Sequence, residues 1–300
     1  MTAQTPVLTL RGLTKDHGDF RLGPLDLDLE PGQVLAFVGP NGAGKTTTLH
    51  AVMNLLRPDD GTVEVCGRRN DPNDVRWKED VGFVGERQGF YQDWSGSQNL
   101  DFLGRFYSRW DGDHAQALAY RFDLPLGKKV KSLSQGNRAK LALVAALAHR
   151  PRLLLLDEPT GGLDPVVRSE VLDTLWELLE GGEAAILYST HVLSDVSRLA
   201  DELAFLRQGR LVQRTAKDAL TEAWRRVSFE LTGRDDSLRQ LAAARGLDSQ
   251  GASHRVISSD YAATSRHLGD LGATRVESTR MTIDEIAVEI LKEGHRVAAA

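Results

Sequence analysis

Apolar and polar residues change period along the chain, and the changes mark out its elements. Val7 to Leu13 and Leu25 to Glu30 alternate, the pattern of antiparallel strands with one buried face. Gln33 to Val38 is a short apolar run, and Lys45 to Leu56 follows with Leu49, Val52, Met53 and Leu56 at helical spacing. Arg57-Pro58-Asp59-Asp60-Gly61 is a turn signal, Thr62 to Val65 a strand and Val81 to Val84 a short buried strand. From Ser95 to about Lys129 the period is helical, with one helix around Leu100, Leu103 and Phe106-Tyr107 and another over Ala115 to Phe122. The rings of Trp94, Tyr107 and Trp110 in and beside this stretch read as the core of a small helical subdomain. A helix capped by Ser134 runs to about His149. Arg152 to Leu156 and Ala184 to Tyr188 are nearly continuous apolar strands, as in a parallel sheet covered on both faces, with a helix from Pro165 to Glu180 between them. Leu203 to Leu206 and Arg210 to Arg214 form a hairpin around Gln208-Gly209.

Strands alternating with helices predict an α/β core with a parallel sheet, and ligands of such sheets sit beyond the carboxyl ends of the strands. Composition shifts after Trp224-Arg225-Arg226, so the chain divides into 1–226 and a small α/β domain over 227–300. The second domain reads as a strand through Val227, Phe229 and Leu231, a helix from Leu238 to Arg245 and a strand from His254 to Ile257. A helix from Tyr261 to Leu271, a strand from Ala273 to Glu277 and a helix from Ile283 to Leu291 complete it, the last opened by a Thr282/Glu285 capping box. It holds no chemical constellation.

The totals narrow the function. The 300 residues carry a formal net charge of -5, so no global basic field draws nucleic acid. The single cysteine, Cys66, cannot form an internal disulfide and reads as a small strand-end residue. Met1-Thr2-Ala3-Gln4-Thr5-Pro6 lacks a charged-then-apolar signal pattern, and the apolar run Leu141 to Leu147 is too short for a bilayer. A cytoplasmic protein is expected.

The chemistry begins at Gly39-Pro40-Asn41-Gly42-Ala43-Gly44-Lys45-Thr46-Thr47, which fits the phosphate-loop pattern G-x-x-x-x-G-K-[ST] between a strand and a helix. Glycines let successive N–H groups point at one anion, and the helix N-terminus adds partial positive charge. Lys45 is expected to reach the β and γ phosphates, and the Thr46 hydroxyl to hold Mg²⁺. A loop holding Mg-ATP needs an acidic partner and a group that orients water. Asp157 ends a buried strand, Glu158 follows it, and His191 ends another buried strand. Alone, an acidic pair after a strand serves a cap or turn; beside a phosphate loop it becomes the candidate site.

Gly39 to Thr46, Leu133-Ser134-Gln135-Gly136, Leu153 to Glu158, Gly162-Leu163-Asp164 and His191 stand in an order that resembles the ATP-binding cassette of ABC transporters. The resemblance covers about Val7 to Arg226 and implies a P-loop NTPase cassette: a parallel core sheet, an antiparallel β subdomain and a helical subdomain at about 95–135. It implies that Lys45 and His191 contact the γ phosphate, that Thr47 lies near the α phosphate, that Asp157 holds the metal and that Glu158 polarises the attacking water. Ser134 and Gly136 would contact ATP held by a second cassette, and Asp164 would sit between cassettes. Glu86 replaces the usual glutamine of the lid loop, which senses metal and γ phosphate and contacts the membrane subunit; Glu86-Arg87-Gln88-Gly89-Phe90-Tyr91 is similar to some bacterial exporter ATPases. The adenine-stacking aromatic falls at His17, with Phe20 as a rival. Gly161 takes the place of the usual serine before Asp164.

The resemblance therefore implies an ATPase subunit of a bacterial ABC-2-type exporter, binding ATP and Mg²⁺ and working as a head-to-tail pair of cassettes, homodimer or paralogue. Its partners would be integral membrane permease subunits, holding it at the inner face of the cell membrane, with no nucleic acid. The alternative is a soluble ABC ATPase of repair, translation or regulation. Repair members carry long coiled-coil insertions and translation members usually two cassettes, neither of which this chain shows.

Overall fold

The computed structural model describes residues 5–180, 184–231, 238, 241 and 243–297. Two alternating segments open it. β1 (Leu8–Asp16) pairs antiparallel with β2 (Arg21–Leu29), setting Leu8 opposite Leu29. Their inward leucines are buried, as period-two burial requires. β3 (Val34–Val38) leads into the phosphate loop and α1 (Lys45–Val52). The helix is shorter than expected because Asn54, at φ 53, turns the chain soon after it. β4 (Asp60–Val65) pairs with β1, and β5 (Arg68–Arg69), too short for a pattern, completes the antiparallel sheet in the order β2-β1-β4-β5.

A 3-10 turn over Val75–Asp80, capped by Asp74, precedes β6 (Val81–Val84). The helical subdomain holds α2 (Gly96–Gly104) with a Ser95/Gln98 capping box, α3 (Gly112–Arg121) and the start of α4 (Gln135–Leu147). Of its rings, Trp94 is not core: it is exposed, packed against Tyr91 and Phe102. Then come β7 (Leu153–Asp157), α5 (Pro165–Glu180), β8 (Ala185–Thr190), α6 (Leu193–Leu199), β9 (Glu202–Arg207) and β10 (Arg210–Ala216). The second sheet runs β10-β9-β3-β8-β7-β6, with β6, β7, β8, β3 and β9 mutually parallel. Every residue of β3, β7 and β8 is buried, as expected for strands covered on both faces. One apolar cluster joins Leu10 and Leu27 of the antiparallel sheet, Leu49 and Val52 of α1, and Phe37, Leu155 and Leu187 of the parallel sheet.

The chain divides into two units, 1–214 and 215–300, earlier than the composition change at 226. In the second, α7 (Lys217–Ala223) precedes β11 (Arg225–Glu230), β12 (Ala244–Gln250), β13 (Ser253–Ser258), α8 (Tyr261–Asp270), β14 (Thr274–Arg280) and α9 (Ile283–Val297). Its antiparallel sheet has the order β12-β13-β11-β14. The expected helix over Leu238 to Arg245 lies mostly outside the described residues; at its end Ala244 and Arg245 belong to β12 instead. The expected capping box is present: Glu285 N–H donates to Thr282 Oγ1 at 3.3 Å, and Thr282 N–H to Glu285 Oε2 at 2.9 Å. We predict that Leu155→Ala, in the fully buried middle of β7, lowers unfolding free energy by about 2–5 kcal/mol in urea titration; a loss below about 1 kcal/mol would contradict the shared core.

Candidate nucleotide site

The parallel register brings three strand ends to one edge. Val38 pairs with Thr190 across β3 and β8, and Asp157 with Ser189 across β7 and β8. The phosphate loop leaves β3, Glu158 leaves β7 and His191 leaves β8, so all three meet outside the carboxyl ends of the sheet. They border a cleft of about 680 Å³ whose walls include Phe20, Lys45, Thr46, Glu86, Glu158 and His191.

Sterics explain two of the loop's glycines. A Cβ at Gly39 would lie 2.2 Å from Leu206 O, and one at Gly44 would lie 2.7 Å from Leu22 Cδ1. Gly44 also sits at φ 106 as the N-cap of α1, a conformation open to glycine. Lys45 starts the helix and is 6% exposed. Its ammonium donates to Gly39 O at 2.7 Å and Pro40 O at 3.3 Å, and stands 3.8 Å from Glu158 Oε1. Burial pushes the lysine's pKa below its ordinary value, opposed in part by Glu158 and Asp157. A cation held this far from water gains strongly from an anion placed beside it.

Asp157 is 1% exposed. Its Oδ1 accepts from Thr46 Oγ1 at 3.0 Å and from Ser189 Oγ at 2.5 Å, while its buried Oδ2 has no hydrogen-bond partner. An orphaned carboxylate oxygen beside a hydroxyl fits a divalent cation whose other ligands are phosphate and water. No cluster of three or more His, Cys, Asp or Glu among the described residues forms a metal cage.

Glu158 adopts φ 49, the left-handed region that non-glycine residues avoid. Its N–H donates to Ser189 O at 3.1 Å and Ser189 Oγ at 3.2 Å. Its Oε2 lies 2.9 Å from His191 Nδ1. Strain of this kind persists only where surroundings over-determine it, and it collects at functional sites.

Asn41, Gly42, Ala43, Gly44, Lys45, Thr46, Thr47, Glu86, Glu158 and His191 all line the cleft, while Asp157 lies beneath it and Gly39 and Pro40 meet it through Lys45. Ser134 and Gly136 do not line it. Ser134 caps α4, accepting from Asn137 N–H at 3.2 Å, and a Cβ on Gly136 would touch Val167. Asp164 caps α5 through Val166 N–H and Val167 N–H. Phe20 forms part of the cleft wall; His17 is outside it, with its ring 6.3 Å from that of Phe20. Ser189, Gln88 and Gln135 are further site residues to which the motifs gave no role. Gln88 and Gln135 stand inside the quoted stretches and Ser189 two positions before His191, which was the available signal.

Comparison with known proteins agrees with this geometry. The family model described as ABC transporter matches residues 22–161. The chain is 38% identical over 221 residues to the daunorubicin resistance ATP-binding protein DrrA3 of Streptomyces coeruleorubidus, covering 71% of this chain and 69% of that protein. It is 29% identical over 291 residues to the bacitracin transport ATP-binding protein BcrA of Enterococcus faecalis, covering 96% and 89%. A solved ATP-binding subunit of an ABC transporter superposes with a TM-score of 0.65 at 25% identity, over 72% of this chain and 92% of that one.

Replacing Phe20 with Ala should weaken ATP affinity roughly 5- to 150-fold, at about 1–3 kcal/mol per stacked base, while His17→Ala changes it little. Equilibrium ATP binding to both variants decides the matter; loss confined to His17→Ala would give the stacking role to that ring instead.

Proposed function

We propose a mechanism from one premise: this chain belongs to the family of ABC transporter ATP-binding proteins. As a member it binds and hydrolyses ATP and powers a transporter. Its relatives bear the names of transport subunits, which favours transport over a repair, translation or regulatory role. One is named for daunorubicin resistance and the other for bacitracin transport, which supports export as the direction.

The observation that carries the mechanism is the convergence of Lys45 and the Glu158–His191 pair in one cleft, with the unpartnered Asp157 Oδ2 beneath it. We assign Phe20 to the adenine face, with the loop N–H groups and Lys45 on the β and γ phosphates. Thr46 and Asp157 would hold Mg²⁺, which when bound neutralises charge on those oxygens. Water attacks the γ phosphorus, the bond to the ADP oxygen breaks, and the water's proton passes to Glu158. His191, held by Glu158, faces the γ phosphate. Glu86, exposed and lining the cleft with Gln88, would take the lid position and respond to metal and γ phosphate.

The own-chain cleft lacks Ser134 and Gly136, which supports a head-to-tail pair in which each chain supplies them to the other's ATP. The membrane crossing we assign to separate permease subunits; no helix among the described residues is long and apolar enough to cross a membrane. Those subunits would hold the chain at the membrane's inner face and dock near the Glu86 loop, where Tyr91, Trp94 and Phe106 are exposed around Phe102.

Glu158→Gln tests the chemistry. A positioned base contributes about 10²–10⁴-fold, or about 3–5 kcal/mol of barrier. The variant should keep its ATP affinity and lose turnover by that factor; near-normal turnover would remove Glu158 from the role.

A further inference from the structure

Glu158 and His191 leave adjacent parallel strands, and the two segments they begin meet again at a buried carboxylate. Asp195, in the first turn of α6, is 1% exposed. Its Oδ2 accepts from Thr160 Oγ1, on the segment that follows Glu158. Its Oδ1 accepts from Arg168 of α5, at 2.6 Å from Nε and 2.5 Å from Nη2, and Arg168 also donates to Ser194 Oγ. The backbone N–H of Asp195 donates to Val192 O at 3.1 Å, which fixes the short path back to His191. A closed ring results: Glu158 to Thr160 along the chain, Thr160 to Asp195 by a hydrogen bond, Asp195 to His191 along the chain, and His191 to Glu158 at 2.9 Å.

The ring adds to the bonds that Ser189 makes to Glu158 N–H, and it bears on two features of the pair. The His191 side chain is 59% exposed, so packing does not hold its imidazole. Glu158 is strained at φ 49 and needs restraint from both sides. Asp195 is buried and Arg168 half-buried, and an ion pair that takes a carboxylate out of water is a poor source of net stability, because desolvation consumes much of its attraction. Geometry is what this pair supplies.

We propose that Asp195, through Thr160 and Arg168, is a positioning residue that keeps the Glu158–His191 pair in contact, setting the rate of hydrolysis and not the affinity for ATP. The inference rests on the roles assigned above to Glu158 and His191. It is tested on the full chain by kcat, KM and equilibrium ATP binding. Thr160→Val keeps the side-chain volume and removes the hydroxyl. It should lower kcat roughly tenfold or more, since small misplacements of reacting groups are costly, with ATP affinity within about twofold of the parent. Thr160→Ser should recover most of the rate, and Asp195→Asn should be at least as slow as Thr160→Val. In a His191→Ala background, Thr160→Val should cost less than about twofold, because the ring is already open.

A Thr160→Val protein with parental kcat overturns the proposal, as does a Thr160→Ser protein as slow as Thr160→Val. So does an equal fractional loss in both backgrounds, which marks a merely structural role. Glu158→Gln measured alongside separates the two levels. An active Glu158→Gln removes the catalytic assignment itself; an inactive one beside a fully active Thr160→Val removes only the ring.

Discussion

β7 and β8 run parallel with Asp157 beside Ser189, and the site depends on that register. It lets Ser189 Oγ donate to Asp157 and accept from Glu158 N–H, so one hydroxyl fixes the metal-side carboxylate and the strained residue next to it. A slip by one residue would turn Asp157 to the opposite face of the sheet. β3 joins the same arrangement through β8, which sets the phosphate loop over Asp157 and closes the Thr46 contact. The apolar runs that bury these strands on both faces therefore do more than form a core: they fix the relative height of every strand end.

The segment after Glu158 lines its own cleft with Pro159, Gly161 and Gly162. At the cleft wall Gly161 O also accepts from Gln135 Nε2 at 3.2 Å, next to the capping Ser134 of α4. Gly162 is at φ 69, and a Cβ there would lie 2.6 Å from Gln135 Nε2, so glycine in this loop makes room for that side chain. Lys140, buried further along α4, bonds Glu170 of α5 at 2.5 Å and Phe122 O at 3.1 Å. α4, capped by Ser134, is thus tied both to the loop that begins at Glu158 and to α5.

Much of this was legible in the residues. The phosphate loop, the leucine run ending in Asp157-Glu158 and the capping Ser134 follow from local rules, and all take up the positions those rules imply. Choosing between His17 and Phe20 was not possible, because both lie in the same polar turn and only the fold shows which ring reaches Gly44. α1 was overextended because Leu56 keeps the helical spacing past the Asn54 turn. β12 escaped because its residues from Gly246 to Gln250 are all exposed, Leu247 included, so no alternation of buried apolar positions marks them. The Thr160–Asp195 bond joins positions far apart in sequence and has no local signature, and neither does the left-handed backbone at Glu158.

The central claim is that each cleft is half of an ATPase site, completed by Ser134 and Gly136 of a second chain. The direct measurement is ATP turnover per subunit across a dilution series at saturating Mg-ATP. Turnover per subunit should fall on dilution as the paired form dissociates by mass action. Turnover that stays constant down to concentrations at which the chain is a monomer would contradict the claim.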